Sequence, residues 1–154
     1  MTEKAIAYFF DDSDRQAELG RELLSWEGTP FRHWAGVKGR GCDCIHLVVR
    51  ILEHFGFGPL RIPKYDKDWH LHRGNQLLLD GIEAQLDTVE VTSAEVADGD
   101  IVLYQFGRAL SHGGIYFGGE VYQAVFGAGV VRLGWGDAQW RRRVRKILRI
   151  VGHE

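Results

Sequence analysis

Cys44 and His112 are the two side chains of this sequence best suited to covalent chemistry. Cys44 stands in Gly41-Cys42-Asp43-Cys44-Ile45-His46-Leu47-Val48, where a glycine-rich loop gives way to a strongly apolar segment of helical character. A cysteine at a helix start faces unpaired backbone N–H groups and the positive end of the helix dipole. That position is expected to lower the thiol pKa and favour the nucleophilic thiolate. The same N–H groups suit the oxyanion of a tetrahedral intermediate. The plain alternative is a small buried residue at a helix start.

A thiol nucleophile needs a base. His112 opens the run Ser111-His112-Gly113-Gly114-Ile115-Tyr116-Phe117, and its glycine neighbours leave the imidazole uncrowded. Gly118-Gly119 suits a tight hairpin turn, which sets Phe117 opposite Glu120 and Gly114 opposite Gln123. In that register His112 and Gln123 share a face and lie diagonally, within reach of a long amide side chain. Gln123 then accepts a hydrogen bond from the second imidazole nitrogen and fixes the tautomer. A slip of one residue puts the two on opposite faces, and without Cys44 they read as ordinary polar residues of a half-exposed strand.

These residues need elements to hold them. Ala17, Leu19, Leu23, Leu24 and Trp26 recur at helical spacing, so a helix is expected from Ser13 to about Trp26, with Asp11, Asp12 and Ser13 as available caps. Gly28, Thr29 and Pro30 end it. Residues 31–42 read as a loop, and a second helix begins at Cys44 and ends near Gly56. A third is expected from Trp69 to about Leu86, weakened by Gly74 and Gly81. Beyond Asp98-Gly99-Asp100 come the β-rich runs Ile101–Phe106, His112–Phe117, Val121–Val125, Val130–Leu133 and Val144–Val151. Helices first and an antiparallel sheet afterwards point to an α+β fold. His46, Arg50 and His54 fall in one helical line, read as a solvated stripe.

Length and composition limit the rest. The chain has 154 residues, 45% hydrophobic and 26% charged, which fits one compact domain over 1–154. A net charge of −2 gives no electrostatic case for nucleic acid. The apolar run Ala5–Phe10 is too short for a secretory signal or a membrane span, so synthesis in the cytoplasm without a signal peptide is expected. Residues 1–30 carry seven acids against three bases, whereas Arg141, Arg142, Arg143, Arg145, Lys146 and Arg149 crowd the other end. That cluster reads either as a docking surface for an anionic partner or as charge protecting a final edge strand from pairing. Cys42 and Cys44 are too close in sequence for an unstrained bridge, so both are expected as thiols.

Gly28-Thr29-Pro30-Phe31-Arg32, Gly41-Cys42-Asp43-Cys44-Ile45-His46-Leu47-Val48, Gly99-Asp100-Ile101-Val102, His112-Gly113-Gly114-Ile115-Tyr116 and Gln123-Ala124 resemble, in that order, the motifs of NlpC-type peptidases over about residues 12–132. The resemblance implies a papain-like fold, with the cysteine-bearing helix packed on a mostly antiparallel sheet of about five strands. It implies a cysteine peptidase that cuts peptidoglycan stem peptides, commonly between D-γ-glutamate and a diamino acid, and needs no metal or organic cofactor. By match, Cys44 is the nucleophile, His112 the base and Gln123 the third polar residue. Asp43 matches a residue that helps hold the amine of the substrate's terminal alanine, and Phe31, Trp34 and Ile45 fall on the substrate side. Phe31 stands in place of a tyrosine, Ile45 of a serine and His46 of a glycine.

Cys42-Asp43-Cys44-Ile45 and Ile62-Pro63-Lys64-Tyr65 look most like the version carried by phage tails and gene-transfer particles. Tail proteins are then expected partners, and a virion tail or similar particle acting at the wall the expected location. Three other readings compete. They are a structural tail component with vestigial activity, a thiol acyltransferase or amidase on the same scaffold, and a zinc module using Cys42, Cys44, His46 and His33.

Overall fold

A computed structural model of the chain describes residues 7–62, 65, 77–107 and 109–152. Helix α1 spans Ser13–Trp26. Asp12 caps it, its carboxylate accepting the Arg15 N–H at 2.8 Å, an interaction worth about 1 kcal/mol. Leu19, Leu23 and Trp26 turn inward. Gly28 then adopts φ +85°, a conformation open to glycine. The turn it makes is sewn to the far sheet by Gly28 N–H to the Val130 carbonyl (3.0 Å) and Val130 N–H to the Thr29 carbonyl (2.8 Å).

The loop that follows contains a small antiparallel pair, β1 (Gly36–Val37) and β2 (Gly41–Cys42). Its backbone bonds, Cys42 N–H to Pro30 and Asp43 N–H to Ala35, deliver Asp43 to the start of α2 (Cys44–His54). Every residue from Cys44 to Val49 is buried, so α2 is apolar on all sides through its first turns, as a core helix must be. This overturns the solvated stripe: His46 is 5% exposed, and only the later part of the line, Arg50 and His54, approaches solvent.

Helix α3 covers Leu77–Gln85, and the expected earlier turns at 69–76 lie outside the described residues. Strands β3 (Thr88–Glu90), β4 (Ile101–Phe106), β5 (Ala109–Phe117), β6 (Glu120–Val125), β7 (Gly129–Gly134) and β8 (Val144–Ile150) form one antiparallel sheet in the order β3-β8-β4-β5-β6-β7. The fold is α+β as expected, but the sheet has six strands rather than five. The extra strand, β3, pairs with Leu148, Arg149 and Ile150 at the end of β8, so that end is interior, while the part bearing Arg145 and Lys146 pairs with β4 alone.

Alternation divides the sheet into two apolar faces. Ile101, Leu103, Ile115, Tyr122, Ala124 and Leu148 join α2 and α3 in the main core. Between them Val102, Tyr104 and Val121 form a second cluster, covered by Phe106, Tyr116, Trp135 and Trp140. Trp140 lies on the short helix α4 (Ala138–Arg141). Among the described residues no helix is long and apolar enough to cross a membrane.

Candidate active site

Cys44 is the first residue of α2 and is 9% exposed. Its sulfur meets three backbone N–H groups, those of Gly113, Ile45 and Cys44 itself, and each favours the thiolate. Burial opposes them, and the negative charge of Asp43 adds to the opposition, so the thiol is pushed up to about 12. The helix start does act in the expected direction, but desolvation outweighs it. The resting group is a neutral thiol, not the depressed-pKa thiolate expected from position alone.

The Gly113 N–H that reaches the sulfur belongs to the residue after His112, so β5 carries both the contact to the thiol and the imidazole. The hairpin has the expected register, with Phe117 opposite Glu120 across Gly118 and Gly119, both at positive φ. His112 Nε2 lies 2.7 Å from Gln123 Oε1. Gln123 is fully buried, and its amide nitrogen donates to the Val121 carbonyl at 3.4 Å. With the amide oxygen so placed, Nε2 of His112 carries the proton, and Nδ1 is left as the basic nitrogen.

Sequence reasoning missed what surrounds this ring. Tyr104, opposite His112 on β4, sits 5.6 Å from it between centroids; Phe106 is at 5.8 Å and Trp140 at 5.4 Å. Tyr104 also hydrogen-bonds Gln123 through its side chain. Burial in this aromatic setting lowers His112 to about 4, against the Gln123 bond, which favours imidazolium. The aromatic residues in β4 could be noticed in sequence, but nothing local signals that Trp140 folds back onto a ring many residues away.

Asp43 is 3% exposed and both its oxygens are taken. Oδ1 accepts the His46 N–H at 2.9 Å and the His46 Nδ1 proton at 2.8 Å; Oδ2 accepts the Trp34 N–H at 2.8 Å and the Tyr65 hydroxyl. Burial would raise this carboxyl, but the bonds from His46 and Tyr65 hold it below the usual carboxylate value. The carboxylate therefore caps α2 and anchors a buried His46–Tyr65 pair, leaving neither oxygen for a substrate amine. Trp34 adopts φ +61° and remains 40% exposed, its ring edge against His46 (5.0 Å) and Tyr65 (4.8 Å). Phe31 packs partly against the core and meets Phe126, 85% exposed, at 5.6 Å. Ile45, expected on the substrate side, is 2% exposed and lines a pocket with Val49, Leu60 and Ile82.

A model of the NlpC/P60 family matches residues 28–149. The chain belongs to the NlpC/P60 family. It is 28% identical over 138 residues to a probable endopeptidase NlpC of Escherichia coli, covering 87% of this chain and 77% of that protein. To the murein DD-endopeptidase MepS/murein LD-carboxypeptidase of Escherichia coli it is 24% identical over 140 residues, 90% of this chain and 64% of that protein. Among solved structures, an NLP/P60-family protein similar to a lipoprotein, from Staphylococcus aureus, superimposes with a TM-score of 0.67 at 20% identity. An NlpC/P60-family protein from Bacillus cereus gives 0.62 at 18% identity. These share the fold, over 99% and 86% of this chain but only 46% and 39% of theirs.

In this NlpC/P60 domain the zinc reading finds no support in the placement of its residues. Cys42 is fully buried, and burial followed by the Asp43 charge raises its thiol to about 12. His46 is turned onto Asp43 and Tyr65, and Cys42, Cys44, His46 and His33 do not gather. The trio that does gather among the described residues is Glu18, Glu22 and His54, within 4.8 Å of one another. Arg21 and Lys38 already pair with those carboxylates at 2.6 and 2.8 Å, and His54 ties α2 to α1.

Proposed function

We propose that this protein is a cysteine endopeptidase of peptidoglycan stem peptides, cutting between D-γ-glutamate and a diamino acid, with Cys44 as nucleophile and His112 as general base and acid. The observation that carries the reading is the thiol at a helix start, held by the N–H of Gly113, the residue that follows a histidine whose Nε2 is fixed by Gln123. The names of two relatives, an endopeptidase and a murein endopeptidase, supply the substrate class.

The neutral thiol and neutral imidazole define the order of events. Sγ attacks the peptide carbonyl while its proton passes to Nδ1 of His112, so the thiolate exists only as the S–C bond forms. The Cys44 and Ile45 N–H groups receive the developing oxyanion. The C–N bond then breaks, and the imidazolium gives its proton to the leaving amine. Water, deprotonated by Nδ1, attacks the thioester; the acid departs and the sulfur recovers a proton. Gln123 keeps Nε2 protonated throughout, which directs all transfers to Nδ1.

With Asp43 committed to His46, Trp34 and Tyr65, the substrate best matched is a stem peptide still joined through its N-terminus, not a fragment with a free alanine amine. We take delivery by a phage tail or tail-like particle from the resemblance of Cys42-Asp43-Cys44-Ile45 to the tail-borne version. Purified muropeptides incubated with the wild type and with Cys44→Ala, followed by mass spectrometry, test the reading. A single cleavage lost in the variant supports it. Equal cleavage by both removes Cys44 from the mechanism, and silence from both favours a structural component with vestigial activity.

A further inference from the structure

Two arginines of the basic run lie against the aromatic cluster that includes the imidazole's neighbours Tyr104, Phe106 and Trp140. Arg50, Arg132 and Arg149 each meet a carboxylate, at 2.7, 3.1 and 2.9 Å. Among the described residues Arg141 and Arg143 meet none. Their guanidinium groups sit over aromatic rings instead, Arg141 4.2 Å from the Trp135 centroid and Arg143 4.5 Å from that of Phe106. Arg143 makes one long contact to the Gln105 carbonyl, at 3.5 Å.

The rings place these cations. Trp140 immediately precedes Arg141 in sequence, and Trp140 and Phe106 both pack on His112. Arg143 is thus one ring removed from the imidazole, and the charge of Arg141 is felt by Tyr104, which touches the same imidazole. A guanidinium resting on an aromatic face is weakly hydrated and restrained, while the N–H fork in its plane stays open to a carboxylate.

His112 passes its proton to the departing amine, so its side of the thiol receives the leaving fragment. We propose that Arg141 and Arg143 form a carboxylate-binding subsite for that fragment, selecting peptides whose leaving portion bears a free carboxylate over those where it is amidated. The proposal rests on the assignment of Cys44 and His112 above for its orientation.

Binding to the Cys44→Ala protein separates the two. Calorimetric titration would use N-acetyl-L-alanyl-γ-D-glutamyl-diaminopimelate and the same peptide with its diaminopimelate carboxyls amidated. The acid should bind at least about tenfold more tightly. Adding Arg141→Gln and Arg143→Gln together should bring the acid to the level of the amide, and Arg143→Lys alone should keep part of the preference, with thermal melting confirming each fold. Equal affinity for acid and amide, no binding of either, or a preference that survives the double substitution would overturn the subsite. Failure of the wild type to cleave, with the binding preference intact, would instead overturn the catalytic reading and leave the subsite standing.

Discussion

His112 donates its Nε2 proton to Gln123 Oε1 across 2.7 Å, joining neighbouring strands of the sheet and leaving Nδ1 as the ring's basic nitrogen. The bond is enclosed by Tyr104, Phe106 and Trp140, and the enclosure lowers His112 to about 4. Cys44 is raised to about 12, so thiol and imidazole are both uncharged across the neutral range.

Opening the enclosure should change the acid side of the pH profile. In the wild type kcat/KM should fall with an apparent pKa near 4 as His112 gains a proton, with no loss toward alkaline pH until well above 9. Trp140→Ala admits water, and the acid limb should move toward the free imidazole value of about 6.5. Stability follows the same group. The folded protein holds this proton less well than the unfolded chain, so stability should decline as pH falls from about 6.5 to about 4. His112→Gln should flatten that part of the curve, as read by urea titration at several pH values.

Gln123→Glu exchanges a neutral acceptor for a charged one. A carboxylate at this place favours imidazolium, so the acid limb should rise while the tautomer is kept. Gln123→Ala loses the tautomer as well, and kcat should drop by roughly 10²-fold with KM little changed. Steady-state kinetics across pH distinguish the two substitutions.

Asp43→Asn should have opposite effects on stability and on the thiol. The carboxylate is buried under four hydrogen bonds, so its loss should cost about 3 kcal/mol in chemical denaturation. The same charge helps raise the Cys44 pKa, and its removal should lower that value. Alkylation by iodoacetamide at pH 8 should then be faster in the variant than in the wild type, where the thiol should react slowly.

Gly114→Ala probes the packing that brings β5 and β6 together. A Cβ there would lie 2.6 Å from the Tyr122 carbonyl oxygen and 2.7 Å from Val121 Cγ1, which backbone displacement must relieve. Stability should fall by about 2–3 kcal/mol, and activity should fall further than Gly118→Ala causes at the hairpin turn. Denaturation curves and kcat for both variants check this.

The parts legible in sequence are those set by near neighbours. Helical spacing with Asp12 as cap fixed α1, the apolar run after Asp43 gave the start of α2, and Gly118-Gly119 set the register that unites His112 with Gln123. Three features depended on distant chain. His46 shares a helical line with Arg50 and His54, yet Trp34 and Tyr65, brought from other parts of the chain, cover it. Strand β3 has three residues and no lasting alternation, so neither it nor its pairing with the end of β8 was visible. The thiol's state turned on burial, which a helix-start motif does not report.

Intact-mass spectrometry of the protein, quenched in acid soon after mixing with an N-acetylated stem peptide, tests the nucleophile most directly. A thioester of the N-terminal fragment should be found on Cys44 after peptic mapping, with none in Cys44→Ala and little in His112→Ala. Release of the same products by Cys44→Ala at the wild-type rate, with no adduct on any cysteine, would contradict it.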